Sequence, residues 1–499
     1  MLKTLSVATR DRARLAEITA IATRFGLGVL LARLGLGSTP DDSQSGADLP
    51  RRTRQALEAL GPTFVKLGQI LATRQDILPA DWIAEFSLLH SDAPTLPFAD
   101  LRPRVEEALG ETVENAFAHF DETPLAAASM AQVHCATLHD GREVVVKIRR
   151  PGIAQRMRAD IRLITHLAAL AENGNRDIRR LQPRALIQTL LGQIEDELDF
   201  RIEGRNADRL RADLSDNPRV LLPEIHWQFS SEAVLVMDYL SGIPPRSAQA
   251  LLDNGIDPAS IAELGAELVL EMVLVNGRFH GDPHPGNLLC LPGNRLALID
   301  LGLVGHVSAR RQQEFLTFIL SLRSGDATML AETLSEWSAG AVPRERLLAV
   351  AEHLVARHGD GSLVLGALVA DFFPLLRKEG LVLPADLALI FKALITMDGV
   401  LSAIRPGFDL TDALQRQRGR LLLNRVSAVQ SPERLVALML ELARISDDAP
   451  RLLRALTRRL ETPPRQDIMH DAPIGAAAKW IAGAILLAGA MMSIAIALH

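Results

Sequence analysis

Apolar and polar positions change their period along the chain, and the changes mark its elements. Residues 39–53, with Gly, Ser, Asp and Pro, read as a loop, and the helical spacing that follows predicts a helix over Arg54–Leu78. Between 120 and 148 the pattern shortens to β-branched runs, Gln132–Leu138 and Glu143–Ile148. They are joined by His139-Asp140-Gly141-Arg142, whose Asp-Gly pair predicts a hairpin turn. Helical spacing returns over about 153–213. A strand is predicted at Ala233–Tyr239, before a Ser-Gly-Ile-Pro-Pro break at 241–245, and beyond about 250 the chain reads as helical apart from 288–304. No fixed-period repeat is visible. The order predicts an α+β chain, a small β-containing lobe followed by a larger helical one.

The two ends have their own patterns. Residues 1–38 carry six basic residues (Lys3, Arg10, Arg12, Arg14, Arg24, Arg33) against Asp11 and Glu17, with Leu15, Ile18, Ile21, Phe25, Leu30 and Leu34 at helical spacing. The apolar run 25–32 is too short to span a bilayer, and Arg33 after it fits a signal peptide poorly. Two readings stay open: an amphipathic helix lying on anionic lipid, or a surface helix packed on the body. At the other end, Trp480–Leu498 holds 19 residues without a charge, about 28 Å of helix at ~1.5 Å per residue. Lys479 and Trp480 sit at its upstream edge, and Arg451, Arg454, Arg458, Arg459 and Arg465 lie on the same side, which would keep the body cytoplasmic. A buried core helix is the alternative. The position after Pro463, Pro464 and Pro473 favours a membrane anchor, and Ala484 and Ala488 permit the close helix contacts of a homodimer.

Composition then narrows the class. The 499 residues allow about three domains of ~150 residues or one large bilobal unit. With 48% hydrophobic and 23% charged residues, the chain has ample core, and aromatics at 4% leave packing to Leu, Ala, Val and Ile. A mean hydropathy of +0.13 has one source in the terminal apolar run. Cys135 and Cys290 are too few for a disulfide framework or a multi-cysteine metal site. The net charge of −6 gives no reason to expect nucleic acid as a partner.

The densest chemistry lies in His280-Gly281-Asp282-Pro283-His284-Pro285-Gly286-Asn287, with Asp300-Leu301-Gly302 following. His-x-Asp-x-His alone would suit half of a metallohydrolase site. Asn287 and Asp300 favour another reading, because H-x-D-x-x-x-x-N followed by D-x-G is how kinases place a base and two Mg²⁺ ligands beside phosphates. That reading demands an upstream strand lysine, and Val144-Val145-Val146-Lys147 supplies it. Aligning Val133 with the last position of the kinase G-x-G-x-x-G-x-V puts Ala126, Ala128 and Ala131 at the three glycine positions. Alanine resists positive φ and adds a Cβ, so this loop should be stiffer and approach phosphate less closely. Singly, each motif has a bland reading: a solvated strand lysine, a structural histidine, an alanine run, an ordinary turn.

Together they resemble the UbiB family of atypical kinases, through Ala126-Ala127-Ala128-Ser129-Met130-Ala131-Gln132-Val133-His134, Val144–Lys147 with Pro151-Gly152, and His280–Asn287. The family's K-x-G-Q motif appears as Lys66-Leu67-Gly68-Gln69, and its E-x-D segment as Glu197-Leu198-Asp199, with Phe200, Arg201, Ile202, Glu203 and Asn206 beyond. The matches span about 60–305 and continue more weakly through Lys392–Pro406. The resemblance implies a bilobal protein-kinase-like fold with a helical N-terminal extension and a C-terminal transmembrane helix. The chain would divide at 1–38 (basic amphipathic segment), 39–119 (extension with K-x-G-Q), 120–240 (N-lobe), 241–445 (helical C-lobe), 446–479 (linker) and 480–498 (transmembrane helix).

The resemblance also implies roles. Lys147 would hold the α and β phosphates of ATP or ADP under the Ala126–Ala131 loop and Val133. Asp282 would be the catalytic base, Asn287 and Asp300 the Mg²⁺ ligands, and Met237-Asp238-Tyr239-Leu240 the hinge against adenine. Helical spacing puts Asp199, Glu203 and Asn206 on one face, which favours Glu203 as the partner of Lys147 and Glu197 as that of Lys66; the reverse remains open. No A-P-E signature follows Asp300, and Lys66 and Gln69 would cover the cleft where a protein substrate docks. The implied activity is a lipid-stimulated ATPase supporting ubiquinone biosynthesis at the bacterial inner membrane. Its partners would be membrane lipid, quinone precursors and quinone-biosynthesis proteins. The alternatives are a scaffold that binds nucleotide without turnover, and a kinase for a small molecule or partner.

Overall fold

A computed structural model describes residues 9–25, 48–76, 78–89, 93–174, 192, 194–338, 342–359, 365–408 and 410. They all belong to a compact unit that ends at Arg425. The expected linker and the Trp480–Leu498 span lie outside the described residues.

Among the described residues, α1 (Thr9–Arg24), α2 (Leu49–Leu60), α3 (Pro62–Ala72), α4 (Ala80–Phe86) and α5 (Phe98–Leu109) precede the first strand, with one short helical turn at Val113–Ala116. The single helix expected over Arg54–Leu78 is two. Gly61 takes φ +98° between them and Pro62 has no N–H to continue the ladder, so α2 stops and α3 restarts at a new angle. On α3, a Cβ added at Gly68 would stand 2.2 Å from Leu89 Cδ1 and 2.9 Å from Leu57 Cδ1, so this position permits close packing of the extension.

Of the two readings for the basic N-terminal helix, the structure places α1 on the body. Ile18 is buried with Leu60, Phe64, Leu163 and Ile164. Arg14 Nε donates to Asp160 Oδ1 at 2.6 Å, Thr63 Oγ1 donates to Asp160 Oδ2 at 2.7 Å, and Arg14 Nη2 donates to Leu60 O. Asp160 is buried, so its charge depends on these partners. Arg14→Ala is therefore expected to cost about 3 kcal/mol, the scale of stranding a buried charge. The check is a lower midpoint in chemical denaturation.

Strands β1 (His119–Ala127), β2 (Ala131–Thr137), β3 (Glu143–Arg149) and β5 (Val234–Asp238) form an antiparallel sheet in the order β1-β2-β3-β5; the short β4 (Val220–Leu221) belongs elsewhere. The hairpin turns where the Asp-Gly pair predicted, with Gly141 at φ +89°. On β3 the two-residue period decides the site. Val144, Val146 and Ile148 are fully buried against Phe98, Leu101 and Val105 of α5. Val145 and Lys147 face the other way, toward α7 (Phe200–Asp213), which is reached through α6 (Ile153–Gly174). Lys147 sits opposite Val133 and Leu235 in the register.

After a short helical turn at Ala248–Leu252, the second lobe contains α8 (Pro258–Glu271) and β6 (Arg278–His280), then β7 (Leu288–Leu291), β8 (Arg295–Leu298) and β9 (Val304–His306). β6 pairs with β9, and β8 lies between β4 and β7. These short ladders fix the ends of two loops, 281–287 and 299–303. Among the described residues, helices α9 (Ala309–Ser324), α10 (Ala327–Trp337), α11 (Arg344–His358), α12 (Leu365–Glu379) and α13 (Ala385–Ile404) follow. Although aromatics are scarce, they gather here: the Phe391 ring lies 5.4–5.8 Å from those of Phe315, Phe318, Phe372 and Phe373. The 20 residues of α13 are long and apolar enough to cross a membrane. Leu387, Ile390, Phe391, Leu394, Met397 and Leu401 are nevertheless buried in this cluster, which makes α13 the central core helix of the lobe.

Candidate functional site

A cavity of about 760 Å³ opens between the sheet, α3, α7, the two loops and α13. Lys147 enters from β3 because alternation leaves it on the cleft face. Glu203 meets it from the first turn of α7. Lys147 Nζ lies 2.8 Å from both Oε1 and Oε2 of Glu203 and 3.8 Å from Asp300 Oδ2. Burial opposes the lysine's charge, but Asp300 and Glu203 outweigh it and hold its pKa above the ordinary value. In return Lys147, against the cost of burial and with help from the Gly302 N–H, holds the Asp300 carboxyl down at about 2. Both groups are charged at neutral pH.

Of the two pairings left open by the sequence, the structure thus joins Lys147 to Glu203, and Lys66 forms an ion pair with Glu197. Asp199 departs from the expected helix face. It is the N-cap of α7, accepting from Arg201 N at 3.0 Å and pairing with the Arg201 guanidinium. Asn206 donates to Leu301 O, tying α7 to the Asp300 loop. Gln69 donates to Leu89 O at 3.0 Å and lines the cavity with Lys66, so the extension forms one wall.

The His280–Asn287 loop is organised by its own polar atoms, since Pro283 and Pro285 have no N–H. Asp282 O accepts from His284 N at 2.8 Å and from Asn287 Nδ2 at 3.1 Å. His280 Nδ1 accepts the Asp282 N–H, and His284 Nδ1 accepts the Gly286 N–H. Burial holds the His280 imidazole down at about 4, so it is neutral. Both histidines are thereby engaged in shaping the loop, which speaks against the metallohydrolase reading. The Asp282 carboxylate projects into the cavity, where Lys392 Nζ lies 3.3 Å from Oδ2.

Ala128, Ser129, Met130 and Ala131 line the cavity; Ala126, Ala127 and Val133 do not. Ala126 and Ala127 instead pair with Val133 and Gln132 in the β1–β2 ladder. The turn is closed by Ala128 N donating to Ala131 O at 2.8 Å, and Arg150 Nε donates to Ala128 O. Among the described residues, the only non-glycine with positive φ is Asn294, so this alanine turn uses no left-handed residue. Met237, Asp238, Tyr239 and Leu240 are also absent from the lining. Met237 is buried in the main core, Asp238 accepts from His226 Nε2 at 2.9 Å or pairs with it, and Tyr239 N donates to Glu143 O. The cavity is the phosphate end of the cleft in the kinase reading.

Six carboxylates (Asp196, Glu197, Asp199, Glu203, Asp282 and Asp300) face this space with three lysines. Such an excess of negative charge suits a polyphosphate only if a cation accompanies it. Asn287, whose Nδ2 is used, has Oδ1 left as a ligand atom, and Asp300 is ionised. Among the described residues no group of three or more His, Cys, Asp or Glu is arranged to hold a metal. Two oxygen donors completed by phosphate and water match Mg²⁺ well. Lys392 had no role assigned from the sequence: it opens the weak family match Lys392–Pro406 as a lone lysine inside an apolar helix.

Residues 88–334 match the family model described as the ABC1 atypical kinase-like domain. A Xylella fastidiosa protein named "Probable protein kinase UbiB" is 32% identical over 432 residues, 84% of this chain and 78% of that one. A Pseudomonas aeruginosa protein of the same name is 31% identical, covering 88% of this chain and 84% of its own length. An uncharacterised Clostridium pasteurianum protein from a hydrogenase 1 5′ region is 33% identical over 80% of this chain and 75% of that protein. A solved Mycobacterium tuberculosis structure, the Rv3197–erythromycin complex, is 23% identical over 79% of this chain and 94% of that one, with a TM-score of 0.49.

Proposed function

The chain belongs to the UbiB family of ABC1 atypical kinase-like proteins, and from that premise we propose that it binds ATP with Mg²⁺ and hydrolyses it slowly in support of ubiquinone biosynthesis at a membrane. The observation that carries this reading is the convergence of Lys147, Asp282, Asn287 and Asp300 on one cavity. Lys147, steadied by Glu203, donates to oxygens of the α and β phosphates. Asp282 orients the attacking hydroxyl or water and takes its proton. Asn287 and Asp300 would hold Mg²⁺, which when bound supplies the positive charge that the phosphates and these carboxylates share.

Lys66 and Gln69 stand in the wall on the side of the extension, and the family resemblance implies that this segment covers the approach of a protein acceptor. Transfer to water, or to an acceptor small enough to enter, is therefore favoured over phosphorylation of proteins in trans. The uncharged run at 480–498 and the basic cluster before it support a membrane anchor with a cytoplasmic body. Full-length protein titrated with ATP is expected to bind it in Mg²⁺ and to lose it on chelation. Phosphate release should rise when vesicles of anionic lipid are added. Failure to bind ATP in Mg²⁺ contradicts the proposal.

A further inference from the structure

Each lysine in the cavity faces a different carboxylate: Lys66 meets Glu197, Lys147 meets Glu203 and Asp300, and Lys392 meets Asp282 at 3.3 Å. The first two come from the extension and the sheet. Lys392 comes from the core helix of the other lobe. From Ala385 to Ile404 the only charged residues are Asp386, Lys392 and Asp398. Ala388, Lys392, Ile395 and Thr396 share one face of α13 (i−4, i, i+3, i+4), and all four line the cavity. The opposite face, with Ile390, Phe391, Leu394 and Met397, is buried in the lobe. A lysine halfway along such a helix costs desolvation, seen in the lowering of its pKa by burial against the pull of Asp282. Core packing gives no reason for that cost.

The need for a cation here is chemical. Asp282 sits where the acceptor's proton is taken, beside the phosphoryl group that moves, and negative charge accumulates on that group's oxygens during transfer. The loop His280–Asn287 itself contains no Lys or Arg. Lys147 is coupled to Asp300 and Glu203, at the α and β phosphate end, whereas Lys392 is coupled first to Asp282.

We propose that Lys392 is a catalytic residue that contacts the terminal phosphoryl group of ATP. This rests on the reading of the cavity as an ATP site. One of its three N–H donors stays on the Asp282 carboxylate, and another reaches an oxygen of the γ-phosphoryl. The attacking oxygen forms a bond to the γ phosphorus as the bond to the β–γ bridging oxygen breaks. The electron pair leaves with ADP and the proton passes to Asp282. Lys392 gives no proton; its charge stabilises the group in flight.

The test compares ATP with ADP, which lacks the group Lys392 would touch. Full-length wild type, Lys392→Met and Lys392→Arg are titrated with each nucleotide in Mg²⁺. Met keeps the length and helical fitness of the side chain, and ADP binding reports whether the site is intact. Loss of a charge-assisted phosphate contact should weaken ATP binding about tenfold or more in Lys392→Met. ADP binding should not change, and Lys392→Arg should recover most of the ATP affinity. Unchanged ATP binding in Lys392→Met, or equal loss of both nucleotides, overturns the inference. If wild type binds neither nucleotide, the ATP reading itself fails, a result distinct from these.

Discussion

Asp282→Asn is expected to lower ATP turnover by roughly 10²–10⁴-fold, the range over which a positioned base contributes, while nucleotide binding in Mg²⁺ persists. The substitution keeps the size of the side chain and removes its charge and its capacity to take a proton. The loop survives because its hydrogen bonds run through the Asp282 backbone: the N–H goes to His280 Nδ1, and the carbonyl accepts from His284 N and Asn287 Nδ2. Lys392 loses its ionic partner, which leaves its ammonium to phosphate. The signature is a fall in kcat with ATP affinity equal to or above that of wild type. A parallel loss of binding and turnover would show that Asp282 holds the site together rather than serving the reaction.

Asp300→Asn should act through the metal and lose turnover by about 10³-fold, several kcal/mol of charge stabilisation. Asp300 is held ionised near pKa 2 by Lys147, and its Oδ1 accepts the Gly302 N–H. Asparagine retains an acceptor for Gly302, and Lys147 keeps both oxygens of Glu203, so the fold should persist. What disappears is the anionic oxygen. ATP binding should become weak and nearly indifferent to Mg²⁺, unlike the Asp282 variant, where the metal-dependent affinity remains. The two substitutions thus separate proton transfer from cation binding within one cavity.

Much of this site was legible because its parts obey short-range rules. The kinase reading demanded a strand lysine upstream of His280–Asn287, and on that strand Lys147 lies on the face opposite Val144, Val146 and Ile148. The Asp-Gly turn fixed the hairpin, and the 280–287 loop carried its own constraints in its prolines, histidines and asparagine. Spacing on a helix favoured Glu203 over Glu197 for Lys147. The same arithmetic misplaced Asp199, because helical spacing does not reveal where a helix starts, and an aspartate is as good an N-cap as a helix-face residue. At Gly61-Pro62, apolar periodicity ran on through a backbone break that only the dipeptide signalled.

Long-range features were less readable. Lys392 lies 110 positions from Asp282 in the chain. A single lysine in an apolar helix reads alike whether its head reaches solvent or a cavity. α13 has the length and hydropathy of a membrane span yet forms a core, since composition does not say what a helix is packed against. Met237–Leu240 stand at the end of a strand as a hinge should, but none of the four lines the cavity. The anchor expected at Trp480–Leu498 lies outside the described residues.

Whether this cavity binds Mg²⁺–ATP and turns it over is tested most directly by phosphate release from labelled ATP, measured for the full-length protein and for Asp300→Asn in Mg²⁺ with anionic vesicles. Slow, vesicle-stimulated release is expected from wild type, and release at background from the variant. A variant as active as wild type would contradict the assignment of this cavity as the Mg²⁺–ATP site.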